Sequence, residues 1–152
     1  MEKLDINKVI NQDLIVVGMN EESKEGALKV LINRLYEQGY LSDKAEFLKD
    51  VLERESEGLT GLGKGIAIPH GKSDGVVKTT IAIGRNNRGI EWESLDDEPV
   101  DLIILFAVKK TDETTTHIKM LQKVAILLAD DEFLETLKLA EKPVDIYELL
   151  TK

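Results

Sequence analysis

The feature that most constrains this chain is the run Leu102-Ile103-Ile104-Leu105-Phe106-Ala107-Val108. It is the longest apolar stretch, and at seven residues it falls far short of the roughly 20 that a membrane helix needs. Its length and its Ile and Val content fit a strand buried inside a domain. A buried strand has to be covered, and the flanking pattern supplies the cover. Leu28, Leu31, Ile32, Leu35 and Tyr36 fall on one face of a helix that Ser23 can cap and Gly39 closes. Ser42 opens a second helix, with Phe47, Leu48, Val51 and Leu52 inward, that runs to about Glu55.

Strands are expected at Leu14–Val17, Ile66–Ile68, Val76–Gly84 and Val100–Val108, with a short edge strand at Ile90–Trp92. Pro69 and Gly71 should end the strand at Ile66–Ile68. A polar loop, Lys109–Thr115, leads to a helix with Ile118, Leu121, Ala125 and Leu128 on one face. Asp131 begins another short helix, and Pro143 starts the last, which ends near Leu150. Helices interleaved with apolar strands predict an α/β fold: a single domain over residues 1–152, a sheet flanked by helices.

Charge narrows the function classes. A formal net charge of -9 argues against nucleic acid as a partner, since phosphate backbones need clustered Lys and Arg. There are no cysteines, which excludes disulfides, thiolate nucleophiles and Cys-containing zinc sites. No N-terminal apolar run resembles a signal peptide, so a cytoplasmic location is expected and any membrane link must pass through a partner.

The chemistry concentrates around Gly58, Gly61, Gly63, Gly65 and the segment Pro69-His70-Gly71. Gly58, four residues, then Gly63-Lys64 resembles a phosphate-binding loop. However, Gly65 stands where Ser or Thr must hold magnesium, and a helix precedes where a strand should. These glycines are expected instead to shape a turn beside His70. A neutral imidazole at the end of a buried strand can serve as a nucleophile; a surface turn histidine is the plainer alternative. Gly71 would let a bulky group approach the backbone. His117, at the start of a helix, can help hold an anion near the helix N-terminus, or simply be solvated there. No His-Glu-x-x-His pattern exists, and the spacing of the two histidines matches no short metal motif, so no metal and no cofactor are expected. Arg54 and Glu55 read as a solvated pair, and Asp96, Asp97 and Glu98 as a solvated acidic turn.

The segment Gly63-Lys64-Gly65-Ile66-Ala67-Ile68-Pro69-His70-Gly71-Lys72 resembles the active-site signature of the fructose–mannitol–nitrogen class of phosphotransferase-system enzyme IIA domains. The likeness continues through Ala82-Ile83-Gly84, Gly89-Ile90-Glu91-Trp92, Glu98-Pro99-Val100-Asp101-Leu102 and His117 with Leu121, covering nearly the whole chain. It implies a mixed β-sheet flanked by helices. It implies a phosphotransferase that accepts a phosphoryl group on His70 from the histidine-containing phosphocarrier protein. That group then passes to an enzyme IIB domain, and so to a sugar entering through the membrane-embedded IIC permease. His117 corresponds to the histidine that stabilises the phosphoryl group, and Arg54 to the arginine sixteen residues before the nucleophile. Gly89 to Leu102 looks closest to the fructose subfamily, which implies uptake of a fructose-like sugar. The segment Val108-Lys109-Lys110-Thr111 departs from the proline-containing loop common there. The alternative is a nitrogen-type regulatory paralogue that acts by phosphorylation-dependent protein binding.

Overall fold

The structure is a computed structural model that describes residues 9–111 and 114–151; the side chains of residues 114–118, 120 and 121 lie outside the described set. Within it the order is β1 (Ile10–Met19), α1 (Lys24–Glu37), α2 (Lys44–Glu57), β2 (Gly61–Gly63), β3 (Ile66–Ala67), β4 (His70–Ser73), β5 (Thr80–Ile90), β6 (Val100–Lys109), α3 (Thr114–Leu128), α4 (Asp131–Leu139) and α5 (Pro143–Thr151).

The apolar run becomes β6, the centre of a six-stranded mixed sheet in the order β1-β5-β6-β3-β2, with β4 also on β6. Its residues alternate between two cores, as a period of two requires. Ile103, Leu105 and Ala107 face α1 and α2, against Leu28, Leu31, Phe47 and Val51. Leu102, Ile104, Phe106 and Val108 face the layer of α3, α4 and α5, against Val124, Leu128, Leu137 and Ile146. Both sheet faces are therefore covered, which is why β6 carries no polar alternation.

Several local expectations shift. Strand β1 is longer than Leu14–Val17 because it runs parallel along β5 from Ile10 to Met19. Asp43, not Ser42, caps α2 and accepts the Glu46 N–H at 3.0 Å, whereas Ser23 does cap α1, accepting Gly26 N–H at 3.0 Å. Tyr36 lies 46% exposed, so the inner face of α1 is completed by Ala27 instead. On α3 Ala125 is exposed and Val124 takes the inward position with Leu128; the side chains of Ile118 and Leu121 lie outside the described residues. Ile90 is the last residue of β5 rather than part of a separate edge strand.

The largest change surrounds Pro69. The strand before it does end, as β3 at Ala67, but pairing with the same neighbour resumes at once after it. Ile66 and Ala67 pair with Leu102 and Ile103, and His70 to Ser73 pair with Phe106 to Lys109 in the same register. Strands β3 and β4 are thus one line along β6, interrupted where proline has no N–H to give. The Pro69 carbonyl still accepts Phe106 N–H at 2.9 Å, and Ile68 N–H turns away to the Thr60 carbonyl, also at 2.9 Å.

Candidate functional site

His70 opens β4, half-buried, beside the Phe106 ring with centroids 6.3 Å apart. Its Nδ1 lies 3.0 Å from the carbonyl oxygen of Ile68, two residues back. A carbonyl can only accept, so Nδ1 carries the proton and donates it, and Nε2 keeps its lone pair. The Ile68 backbone faces away from β6, its N–H bound to Thr60, and its carbonyl lies within reach of the imidazole. Arg54, near the end of α2, donates Nε–H to His70 Nε2 at 3.2 Å. Burial holds the imidazole below its ordinary value of 6.5, and the Arg54 charge pushes the same way; the Ile68 carbonyl and the Glu55 charge pull upward. At neutral pH the ring is therefore neutral, with a defined tautomer and a nucleophilic nitrogen beside a guanidinium. That set suits attack on an electrophile carrying negative oxygens.

Gly71 serves packing rather than ligand access. A Cβ there would sit 2.7 Å from Val51 Cγ2 and 2.9 Å from the Phe47 ring, so the absent side chain lets α2 lie against β4. That close approach carries Arg54 to the histidine. Helix α3 begins at Thr114, which puts His117 in its first turn; its side chain lies outside the described residues.

The glycine-rich segment is a β2–β3 hairpin, with Gly61 paired to Ala67. Its tip, Gly63-Lys64-Gly65, takes three successive positive φ angles of 92°, 58° and 81°, which the two glycines adopt without steric cost while Lys64 sits in the left-handed region that side chains rarely enter. A strand follows α2 here, so the arrangement is not a phosphate-binding loop. Nor is the acidic turn simply solvated: Asp96 Oδ2 accepts Lys64 N–H at 3.0 Å and clamps the hairpin tip. Bonds from the Lys64 and Glu98 amides hold its carboxyl below the usual value of 3.8.

Glu55 corrects the expectation of a solvated pair more sharply. Its side chain is only 6% exposed and is bound to Lys24 Nζ at 3.0 Å. Its Oε1 also accepts Thr60 Oγ1–H at 2.9 Å, and Thr60 in turn accepts Trp92 Nε1–H at 3.0 Å. Lys24 also binds Glu93 and lies over the Trp92 ring, 5.0 Å from its centroid. Burial lowers the Lys24 ammonium pKa, but its bonds to Glu93 and Glu55 outweigh that and hold it above the ordinary range. Sequence reasoning missed Glu55, Thr60 and Trp92 as a group; the only signal was that Glu55 directly follows Arg54. Among the described residues no cluster of His, Asp and Glu is arranged to hold a metal ion, and no helix is long and apolar enough to cross a membrane.

Residues 8–152 match the family model described as phosphoenolpyruvate-dependent sugar phosphotransferase system, EIIA 2. The chain is 32% identical to the fructose-specific EIIA component of Haloferax volcanii, over 100% of this chain and 98% of that protein. It is 34% identical to a nitrogen regulatory protein of Klebsiella oxytoca, over 98% and 91% respectively. It is also 32% identical to the 2-O-alpha-mannosyl-D-glycerate-specific EIIABC component of Escherichia coli over 97% of its own length, but spans only 22% of that longer protein. Among solved structures, the nitrogen regulatory protein IIA-Ntr of Neisseria meningitidis superposes with a TM-score of 0.88 at 29% identity, covering 96% of this chain and 99% of that one. The mannitol enzyme IIA of Escherichia coli, solved in complex with phosphorylated enzyme IIB, gives 0.77 at 25% identity, over 93% and 98%. With its mixed sheet and its histidine at the proline break, this chain belongs to the EIIA 2 family of the phosphoenolpyruvate-dependent sugar phosphotransferase system.

Proposed function

We propose that His70 is the phosphoryl acceptor. Its Nε2 takes a phosphoryl group from the histidine-containing phosphocarrier protein and hands it to an enzyme IIB domain. The carrying observation is the tautomer: Nδ1–H is committed to the Ile68 carbonyl at 3.0 Å, so Nε2 is the nitrogen with a lone pair. In the transfer, the Nε2 lone pair forms the new N–P bond as the donor's N–P bond breaks. The electron pair of the broken bond returns to the donor imidazole. The positive charge that develops on the His70 ring is shared with Nδ1–H, where the Ile68 carbonyl is already placed to accept it. Arg54, now 3.2 Å from Nε2, pivots its N–H groups to the phosphoryl oxygens. His117 adds a donor from the first turn of α3, where backbone N–H groups also favour an anion.

Partner choice follows from the relatives. The mannitol enzyme IIA is solved with a phosphorylated IIB, which supports a IIB domain as acceptor here. The full-length match to a fructose-specific EIIA supports supply of a fructose-like sugar permease, with the membrane reached only through the IIC component. The nitrogen regulatory relatives favour a second reading, a phosphorylation-dependent regulator that binds partner proteins.

Incubation with enzyme I, phosphocarrier protein and phosphoenolpyruvate should add one phosphoryl group by intact mass, labile to acid and stable to alkali. His70→Ala should abolish it; label that persists in that variant, or maps to Ser73, would overturn the assignment. Deletion of the gene should slow growth on one fructose-like sugar and spare glucose. Normal growth on every sugar with altered nitrogen or potassium responses would select the regulatory reading.

A further inference from the structure

Glu55 is a buried carboxylate that the phosphoryl-transfer reading does not use. Its Oε1 is bound by Lys24 and Thr60, while Oε2 is buried with no hydrogen-bond partner among the described residues. Keeping such an oxygen out of water is costly, and an apolar or shorter residue would avoid the cost. The network it anchors ends on His70. Thr60 is held at its hydroxyl by Glu55 and Trp92. At its carbonyl it takes Ile68 N–H at 2.9 Å. The carbonyl on the far side of that same residue takes His70 Nδ1–H at 3.0 Å. From Glu55 to the imidazole, each bond fixes the orientation of the next group, and no link passes through solvent-exposed side chains.

We propose that Glu55, acting through Thr60, is a positioning residue that sets the tautomer and direction of the His70 ring by immobilising the Ile68 backbone; the inference rests on His70 being the phosphoryl acceptor. The other residue of α2 in the site, Arg54, is the next one along the chain and faces Nε2 itself. The two neighbours therefore govern the two ring nitrogens: Arg54 directly at Nε2, Glu55 through Thr60 and Ile68 at Nδ1. Among the described residues, the charged groups acting on the imidazole include Arg54 and Glu55 on α2, with Lys24 of α1 and Glu93 beyond Glu55. Glu55 also opposes the Arg54 charge on the ring, so its removal moves the His70 titration downward.

The test uses the whole chain and three variants: Glu55→Gln, Thr60→Val and Thr60→Ser. Nitrogen-15 NMR of the unphosphorylated protein reads the His70 tautomer and its titration, and rapid-quench transfer from phosphorylated phosphocarrier protein reads kcat and KM. In Glu55→Gln and Thr60→Val the Nδ1–H tautomer should lose its dominance. The rate constant for transfer should fall about ten- to a hundredfold, as for a small misplacement of a reacting group. KM for the phosphocarrier should stay unchanged, because neither side chain is on the surface. Thr60→Ser keeps the hydroxyl and should retain the wild-type tautomer and rate; Thr60→Val carries the test if Glu55→Gln does not fold. Variants that melt earlier but keep the wild-type tautomer and rate constant would overturn the proposal and leave Glu55 a purely structural residue. Failure of the wild-type protein to accept phosphate would instead overturn the His70 assignment, and the tautomer measurement would still decide the positioning role.

Discussion

Replacing Arg54 by alanine separates the candidate site from the scaffold that carries it. In the resting state Arg54 donates Nε–H to His70 Nε2 at 3.2 Å. A hydrogen bond of this kind, from a charged donor, is worth about 1.5–3 kcal/mol. On the proposed assignment, phosphoryl transfer to His70 would consume the Nε2 lone pair, and Arg54 would exchange that bond for bonds to the transferring oxygens. Only the excess of the second over the first accelerates the reaction. Fixed donors aimed at developing charge typically supply about 10²–10³ in rate, or roughly 3–4 kcal/mol. Arg54→Ala should therefore slow both acceptance and donation by about that factor. Arg54→Lys should recover only part of the loss, since it keeps the charge but not the planar fork. Stability should fall by no more than this bond is worth, a drop in melting point of about 3–12 °C at most, with the fold retained. Rapid-quench kinetics of both half-reactions, with a melting curve on each variant, would check this. Wild-type rates in both directions for Arg54→Ala would refute the reasoning and make the Arg54–His70 bond an incidental contact.

Further outcomes follow from the same geometry. His117→Ala should slow transfer to or from His70 by about 10²–10³ with an unchanged melting curve, and wild-type rates would mark it as a solvated helix-end residue. Gly71→Ala drives a Cβ to 2.7 Å from Val51 Cγ2; thermal melting should show a loss of about 1–3 kcal/mol from overpacking, together with slower transfer as α2 and Arg54 shift. The His70 pKa is depressed on folding, so its contribution to stability is complete above about 6.5 and is lost as pH falls through the folded value. Denaturant titrations of wild type and His70→Asn should therefore differ in slope with pH only below that point. The depressed Asp96 carboxyl acts lower, retaining its stabilising bonds above 3.8 and losing them as pH falls further. Asp96→Asn should flatten that acid limb, read by circular dichroism.

Much of this molecule is legible in the chain itself. The run from Leu102 to Val108 reads as a buried strand, because seven apolar residues rich in Ile and Val that are too few to cross a membrane need cover inside a domain. The Ser23 cap and the inward leucines of α1 follow from local hydrogen bonding and a period of 3.6. Pro69-His70-Gly71 identifies the candidate nucleophile, because that motif is contiguous and its residue types have individual physical meanings. Local reasoning fails where a partner lies far along the chain. Pro69 looks like a strand terminator until β6 is seen to pair on both sides of it, a long-range register that no local window contains. Gly71 looks like an opening for a ligand until α2 is seen lying against it. Arg54 and Glu55 look like one solvated pair, since adjacent helical residues carry no mark of which way they point. Packing of α2 on β4 sends Arg54 to His70, and the buried Lys24, Thr60 and Trp92 draw Glu55 inward. The sequence by itself determined the buried central run, the helices and the candidate nucleophile, all of which depend on residues close along the chain. The tertiary structure alone decided the hydrogen-bond partners of that histidine and the placement of its charged neighbours, because those depend on distances between segments that only folding brings together.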